Sequence, residues 1–161
     1  MNKVVLHKNP NGDTRSAPKD VTIEQFREAN KSHVLEVRQC MNVLSQLLSV
    51  QGLKHDWTKF SFEDEFYRDF LNTMNNGADF VSGEWYQRHI TEEKHHPFSK
   101  CHDDITLLDI LETIVDCVCA GKARTGTIRP LEFNTEILEK AVKNTVELVN
   151  QMTVVEGVIE K

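Results

Sequence analysis

The sequence predicts an all-α protein, a single-domain helical bundle of about five to six helices, and three observations lead there. Every strong hydrophobic period is three to four residues long, as in the stripe Phe26, Ala29, Val37, Met41, Leu44 and Leu48. Helix start and stop signals bracket those segments, with Thr22 and Gln25 spaced as a capping box, Asn134 as a cap, and Asn75-Asn76-Gly77 as a stop. A length of 161 residues suits one domain with a real core.

Residues 1–20 hold Asn9-Pro10-Asn11-Gly12-Asp13 and Ser16-Ala17-Pro18, turn formers with little to bury, and are expected to form an irregular arm ahead of a helical domain over 21–155. The first helix should run from Thr22 to about Val50. His33 lies in its apolar stripe, four residues from both Ala29 and Val37, and so should point inward. After Gly52 the chain turns through His55-Asp56. Ser61 can then cap a second helix whose Phe62, Phe66, Phe70 and Met74 share a face. A third, from about Gly83, should carry Trp85, Tyr86, His89 and Glu93 and end near His95, because Pro97 disfavours helical geometry at His96. A fourth over Thr106–Ala120 is apolar on most of its circumference, with a narrow polar stripe of Asp109, Glu112, Thr113 and Asp116. Asp109, in its first turn, complements the helix dipole. The last helix follows Asn134 through Ala141, Leu148 and Met152.

Composition removes several functions. Apolar residues are 39% and charged residues 27%, and no run approaches the roughly 18 apolar residues that a bilayer span requires, so no membrane partner is expected. Val4-Val5-Leu6 is too short for the apolar core of a secretion signal, and a cytoplasmic location is expected. A net charge of −6 with scattered Lys and Arg argues against duplex nucleic acid as a partner. Cys40, Cys101, Cys117 and Cys119 form no C-x-x-C pair, and are expected to be small buried or partly buried thiols.

The chemistry-bearing residues form an ordered series: His33, His55-Asp56, His89, His95-His96 and Asp116. Imidazole and carboxylate donors together suit one or two divalent ions of manganese, iron, cobalt, nickel or zinc over an all-oxygen magnesium cage. In a helix His55 and Lys59 lie four apart on one face, so the lysine is expected to reach a phosphate oxygen beside a metal held by His55. A bound cation lowers the pKa of a coordinated water from about 15.7 to near 7, and a pair about 3.5–4 Å apart can hold both the nucleophile and phosphoryl oxygens. Phosphoester hydrolysis is the reaction such a set would serve. Glu112 shares a face with Asp116 and could orient a ligand histidine, although a solvated polar stripe explains it equally well. Thr91-Glu92-Glu93-Lys94 reads as surface.

The series resembles the HD-domain superfamily of metal-dependent phosphohydrolases, all-helical proteins with an adjacent His-Asp. His55-Asp56-Trp57-Thr58-Lys59 is similar to the HDxGK motif of its two-metal HD-GYP and related branches, with Thr58 in place of glycine. His95-His96-Pro97 resembles the paired-histidine step, with Pro97 where a glutamate is usual, and no GYP triplet follows. The chain is also similar to uncharacterised bacterial and phage proteins with an HDxSKF-like motif and a following H-H-P. The resemblance, from about His33 to Arg124, implies an HD-like fold in which His33, His55, Asp56 and Asp116 hold one metal. Asp56 would bridge to a second, completed by His89 with His95 or His96, and Lys59 would contact the phosphate. Asp56 and Lys59 are thus the catalytic candidates. The substrate implied is a nucleotide or other small phosphoester; the 20 residues from His96 to Asp116 are fewer than the HD-GYP branch has and argue against cyclic dinucleotides. The alternatives are a metal- or nucleotide-binding module without turnover, signalled by thermal stabilisation without product, and a helical adaptor indifferent to chelation.

Overall fold

The computed structural model describes residues 3–128 and 130–156. Among the described residues the regular structure is helical apart from a two-stranded ribbon. In order the elements are β1 (Val4–Leu6), α1 (Ile23–Lys54), α2 (Trp57–Ser61), α3 (Glu63–Asn76), α4 (Glu84–Glu92), α5 (Leu107–Thr125), α6 (Thr135–Gln151) and β2 (Thr153–Val155). Among the described residues, no helix is long and apolar enough to cross a membrane. The chain forms two compact units, Met1–Leu48 with Val146–Lys161, and Ser49–Thr145.

In the first unit the arm expected to be irregular contributes β1, which pairs in parallel with β2 in the register Val4↔Thr153, Val5↔Val154 and Leu6↔Val155. Val4 and Met152 are buried there. The capping box forms as expected: Gln25 N donates to Thr22 Oγ1 at 3.3 Å and Thr22 N to Gln25 Oε1 at 3.0 Å. The stripe of α1 is only partly covered. Ala29 is buried, but Phe26, Val37 and Met41 are exposed, and so is His33, which was expected inward with them.

The second unit carries an apolar cluster of Ile105, Ile110, Ile137 and Ala141, with Cys101, Leu107 and Phe133 against it. Its helix ends are fixed locally. Gly77, at φ 68°, terminates α3 in the left-handed conformation that glycine adopts freely. At Gly83 a Cβ would stand 2.5 Å from Asp69 Oδ2, the oxygen that accepts the Trp85 amide at 2.9 Å to open α4. Thr106 and Asp109 close a capping box on α5, and Asn134 Oδ1 accepts the Ile137 amide at 2.8 Å to open α6.

Three boundaries differ from expectation. The first helix continues through Gly52 to Lys54. Ser61 closes α2 instead of capping α3, and Phe62 forms the joint between them. The third helix stops at Glu92, because Glu93 takes an extended backbone (φ −108°, ψ 117°), so that His95 and His96 ride on the turn toward α5.

Candidate metal centre

The centre is built entirely within the second unit, around Asp56. His55 and Asp56 sit in the turn between α1 and α2, not on a helix, so the expected i to i+4 relation of His55 and Lys59 does not arise. Asp56 is the sole non-glycine residue with positive φ among those described, at φ 56° and ψ 27°. Such a conformation costs on the order of 1–3 kcal/mol and persists where surrounding contacts dictate it. Here it turns the carboxylate into the protein, where Lys59, from the first turn of α2, forms an ion pair with Oδ2.

Four histidines converge on this carboxylate. His55 Nε2 lies 3.3 Å from Asp56 Oδ2, and His89 Nε2 and His95 Nε2 lie 3.6 and 3.4 Å from Oδ1. His96 Nε2 meets His89 Nε2 at 2.6 Å, and Asp116 Oδ1, on α5, is 3.7 Å from His55 Nε2. Two groups of donors, each with ligand atoms within 4.8 Å of one another, therefore share Asp56: one of Asp56, His89, His95 and His96, the other of His55, Asp56 and Asp116. A third comprises His55, His95 and Glu112. No such group contains His33, exposed on the α1 segment of the first unit. His55, Asp56, His89, His95, His96 and Asp116 are thus brought together, with Lys59 beside them; His33 is not.

The opposite side of the rings is held just as closely. His55 Nδ1 is 2.8 Å and His95 Nδ1 3.2 Å from the same Glu112 Oε1, while Gln51 Nε2 donates to Glu112 Oε2 at 2.5 Å and to Asp109 Oδ1 at 2.9 Å. His89 Nδ1 is 2.6 Å from Thr58 Oγ1, and Thr58 donates to Glu93 Oε1 from its hydroxyl at 3.0 Å and its amide at 3.1 Å. The ring of His89 stacks on Trp85, with centroids 4.7 Å apart, and Trp85 stacks in turn on Phe66 at 4.0 Å. Trp85 is therefore a core aromatic that backs the centre. Carboxylates or a hydroxyl behind imidazoles, with the far nitrogens facing a common point, is the usual second layer of a metal site.

Two buried polar atoms of the centre, Asp56 Oδ1 and His95 Nε2, have no hydrogen-bond partner although they face each other. At 3.4 Å the two make an ion pair without hydrogen-bond alignment, and a cation between them would give both a ligand bond. Protonation follows the same geometry. Burial holds His89 down to about 3, and burial with the charge of His95 holds His96 down to about 4, so both are neutral at ordinary pH. Burial also works against a charged His95, but the carboxylates of Asp56 and Glu112 outweigh it and push it up to about 9. For Asp56 burial opposes ionisation, yet His95 and Lys59 prevail and hold it well below the usual carboxylate range. Glu112 is lowered too, with burial outweighed by His95, His55 and Gln51.

Sequence reasoning missed Thr58 and Glu93, and left Glu112 between two readings. Glu93 is 6% exposed and Thr58 fully buried, so the surface reading of residues 91–94 fails at Glu93. The available signal was spacing, since Glu93 follows His89 by four residues and Glu112 precedes Asp116 by four. The buried donor groups can hold a metal ion. The chain matches the model of the Family of unknown function (DUF5662) over residues 22–156. No curated protein and no solved structure matches it.

Proposed function

The chain belongs to that family, and from the geometry of its centre we propose that it is a divalent-metal-dependent phosphohydrolase acting on a nucleotide or another small phosphoester. The observation that carries this reading is Asp56, shared by two donor groups with one buried oxygen facing an equally unpartnered histidine nitrogen. His55, Asp56 and Asp116 would hold one cation, and Asp56 with His89, His95 and His96 a second. The mixed nitrogen and oxygen donors suit manganese, iron, cobalt, nickel or zinc. When bound, such ions activate water near neutral pH and neutralise phosphoryl charge. The resemblance to HD-domain phosphohydrolases supports the same chemistry through His55, Asp56, His95, His96 and Asp116.

Lys59 supplies the substrate contact in this reading. Its ammonium is paired with Asp56 at the edge of the centre, and a cation sharing that carboxylate would leave it free to meet a phosphoryl oxygen. His33, exposed on α1, stands in none of these donor groups.

The test is metal analysis of the purified chain, followed by phosphate release from nucleoside mono-, di- and triphosphates and aryl phosphates with each of the five metals. One to two equivalents of metal, and turnover that disappears in Asp56→Asn, are expected. Bound metal with no turnover on any of these substrates would sink the hydrolase and leave a binding module.

A further inference from the structure

The wall behind His89 is more completely built than a histidine in a core requires. Glu93 Oε1 and Thr58 Oγ1 are 3.0 Å apart, and two oxygens at that distance need a proton between them. Glu93 Oε1 already accepts the Thr58 amide at 3.1 Å and is the acceptor of this pair, so the hydroxyl proton of Thr58 points at Glu93. Thr58 Oγ1 is also 2.6 Å from His89 Nδ1. The hydroxyl has only one proton and has spent it on Glu93, so the proton on this second contact belongs to the imidazole. A neutral imidazole carries one proton, and with it on Nδ1, Nε2 is a bare lone pair. That is the atom 3.6 Å from Asp56 Oδ1 and 2.6 Å from His96 Nε2.

We propose that Thr58 is a positioning residue: its hydroxyl, anchored by Glu93, fixes His89 in the tautomer that presents an unprotonated Nε2 to the metal centre. The inference rests on the metal reading only for the use of that lone pair. Every member of the relay is locked. Thr58 is fully buried, its carbonyl accepts the Trp85 Nε1 proton at 3.3 Å, and its amide is bonded to Glu93 at 3.1 Å. His89 is 3% exposed and clamped by the Trp85 ring. Glycine at this position would give the carboxylate an amide but no hydroxyl to pass its orientation to the ring.

The decisive measurement is the long-range proton–nitrogen spectrum of the full chain with labelled histidines, recorded without metal. His89 is expected as the Nδ1–H tautomer, to move toward Nε2–H in Thr58→Val, and to return in Thr58→Ser. The valine is nearly isosteric and the serine restores the hydroxyl; Glu93→Leu removes the acceptor, leaves residue 58 intact and frees its hydroxyl proton for the ring, and should move the same resonance. In parallel, cobalt titration should show binding weakened about 10- to 100-fold in Thr58→Val and recovered in Thr58→Ser. An Nε2–H tautomer in the native chain, or one unmoved by Thr58→Val, overturns the relay. A tautomer that moves as expected in a chain that takes up no metal upholds the relay and overturns the metal reading instead.

Discussion

The second unit has two interiors, and they are buried for opposite reasons. The Ile105, Ile110, Ile137 and Ala141 cluster is held by apolar area and packing, which tolerate any side chain of similar volume. The Asp56, Thr58, His89, Glu93 and His95 cluster is as deeply covered, yet a buried ionisable group opposes folding unless it is paired. A protein seeking stability alone would have filled that space with hydrocarbon. Here it is filled atom by atom instead, with ring nitrogens bonded behind and two polar atoms left facing each other. One interior holds the fold, and the other uses it.

The sharpest way to break this contrast is to remove the atom at which the polar interior converges. Asp56→Asn keeps a residue that tolerates positive φ but forfeits the charge, so metal uptake and any turnover should fall below detection with the helical circular dichroism unchanged. Unaltered metal content in this variant would refute the assignment of Asp56. The matching change in the apolar interior is Ile105→Ala, which should lower unfolding free energy by about 2–5 kcal/mol in denaturant titration while metal stoichiometry stays the same. Loss of metal there would mean that the two interiors are not separable.

That contrast also explains what could be read in advance. Helices were legible because their causes are local: Thr22 with Gln25, Gly77 and Asn134 each act within a few residues of themselves. The ribbon was not, since Val4 finds Thr153 at the far end of the chain and three residues make no period. The residues that the structure groups were legible by type and order, as His55-Asp56 followed by His95-His96. What holds them was not. Thr58 and Glu93 carry no unusual chemistry until α2 buries the one and the stop of α4 at Glu92 turns the other inward. His33 shows the converse error, for neighbours at i±4 suggested a buried face that at Val37 is exposed.

A smaller effect follows from Glu112, the carboxylate that stands behind histidines of both halves of the polar interior. Glu112 faces His55 in one donor group and His95 in the other, so Glu112→Gln should weaken metal binding at both by about 10- to 100-fold. Isothermal titration would show the loss spread across the whole isotherm. A loss confined to one class of site would make Glu112 a partner of only one histidine.

The finest discrimination is in protons. His89 and His96, lowered to about 3 and 4, are neutral at pH 7 and release nothing when a cation arrives, whereas His95, raised to about 9, must give up its proton. Metal binding at pH 7 should therefore release about one proton per chain, fading as pH rises through 9. Titration in buffers of different ionisation enthalpy measures this, and zero release at pH 7 would show that His95 is already neutral. The same shifts set the stability of the metal-free chain. The contribution of His95 is complete below its ordinary 6.5 and lost as pH rises through about 9; the cost of His89 and His96 appears as pH falls below 6.5, where the unfolded chain takes up protons that the fold refuses until about 3 and 4 respectively. Metal-free stability should thus peak near pH 6.5, and metal should flatten the alkaline side, because a cation takes over the charge that the His95 proton supplied between Asp56 and Glu112.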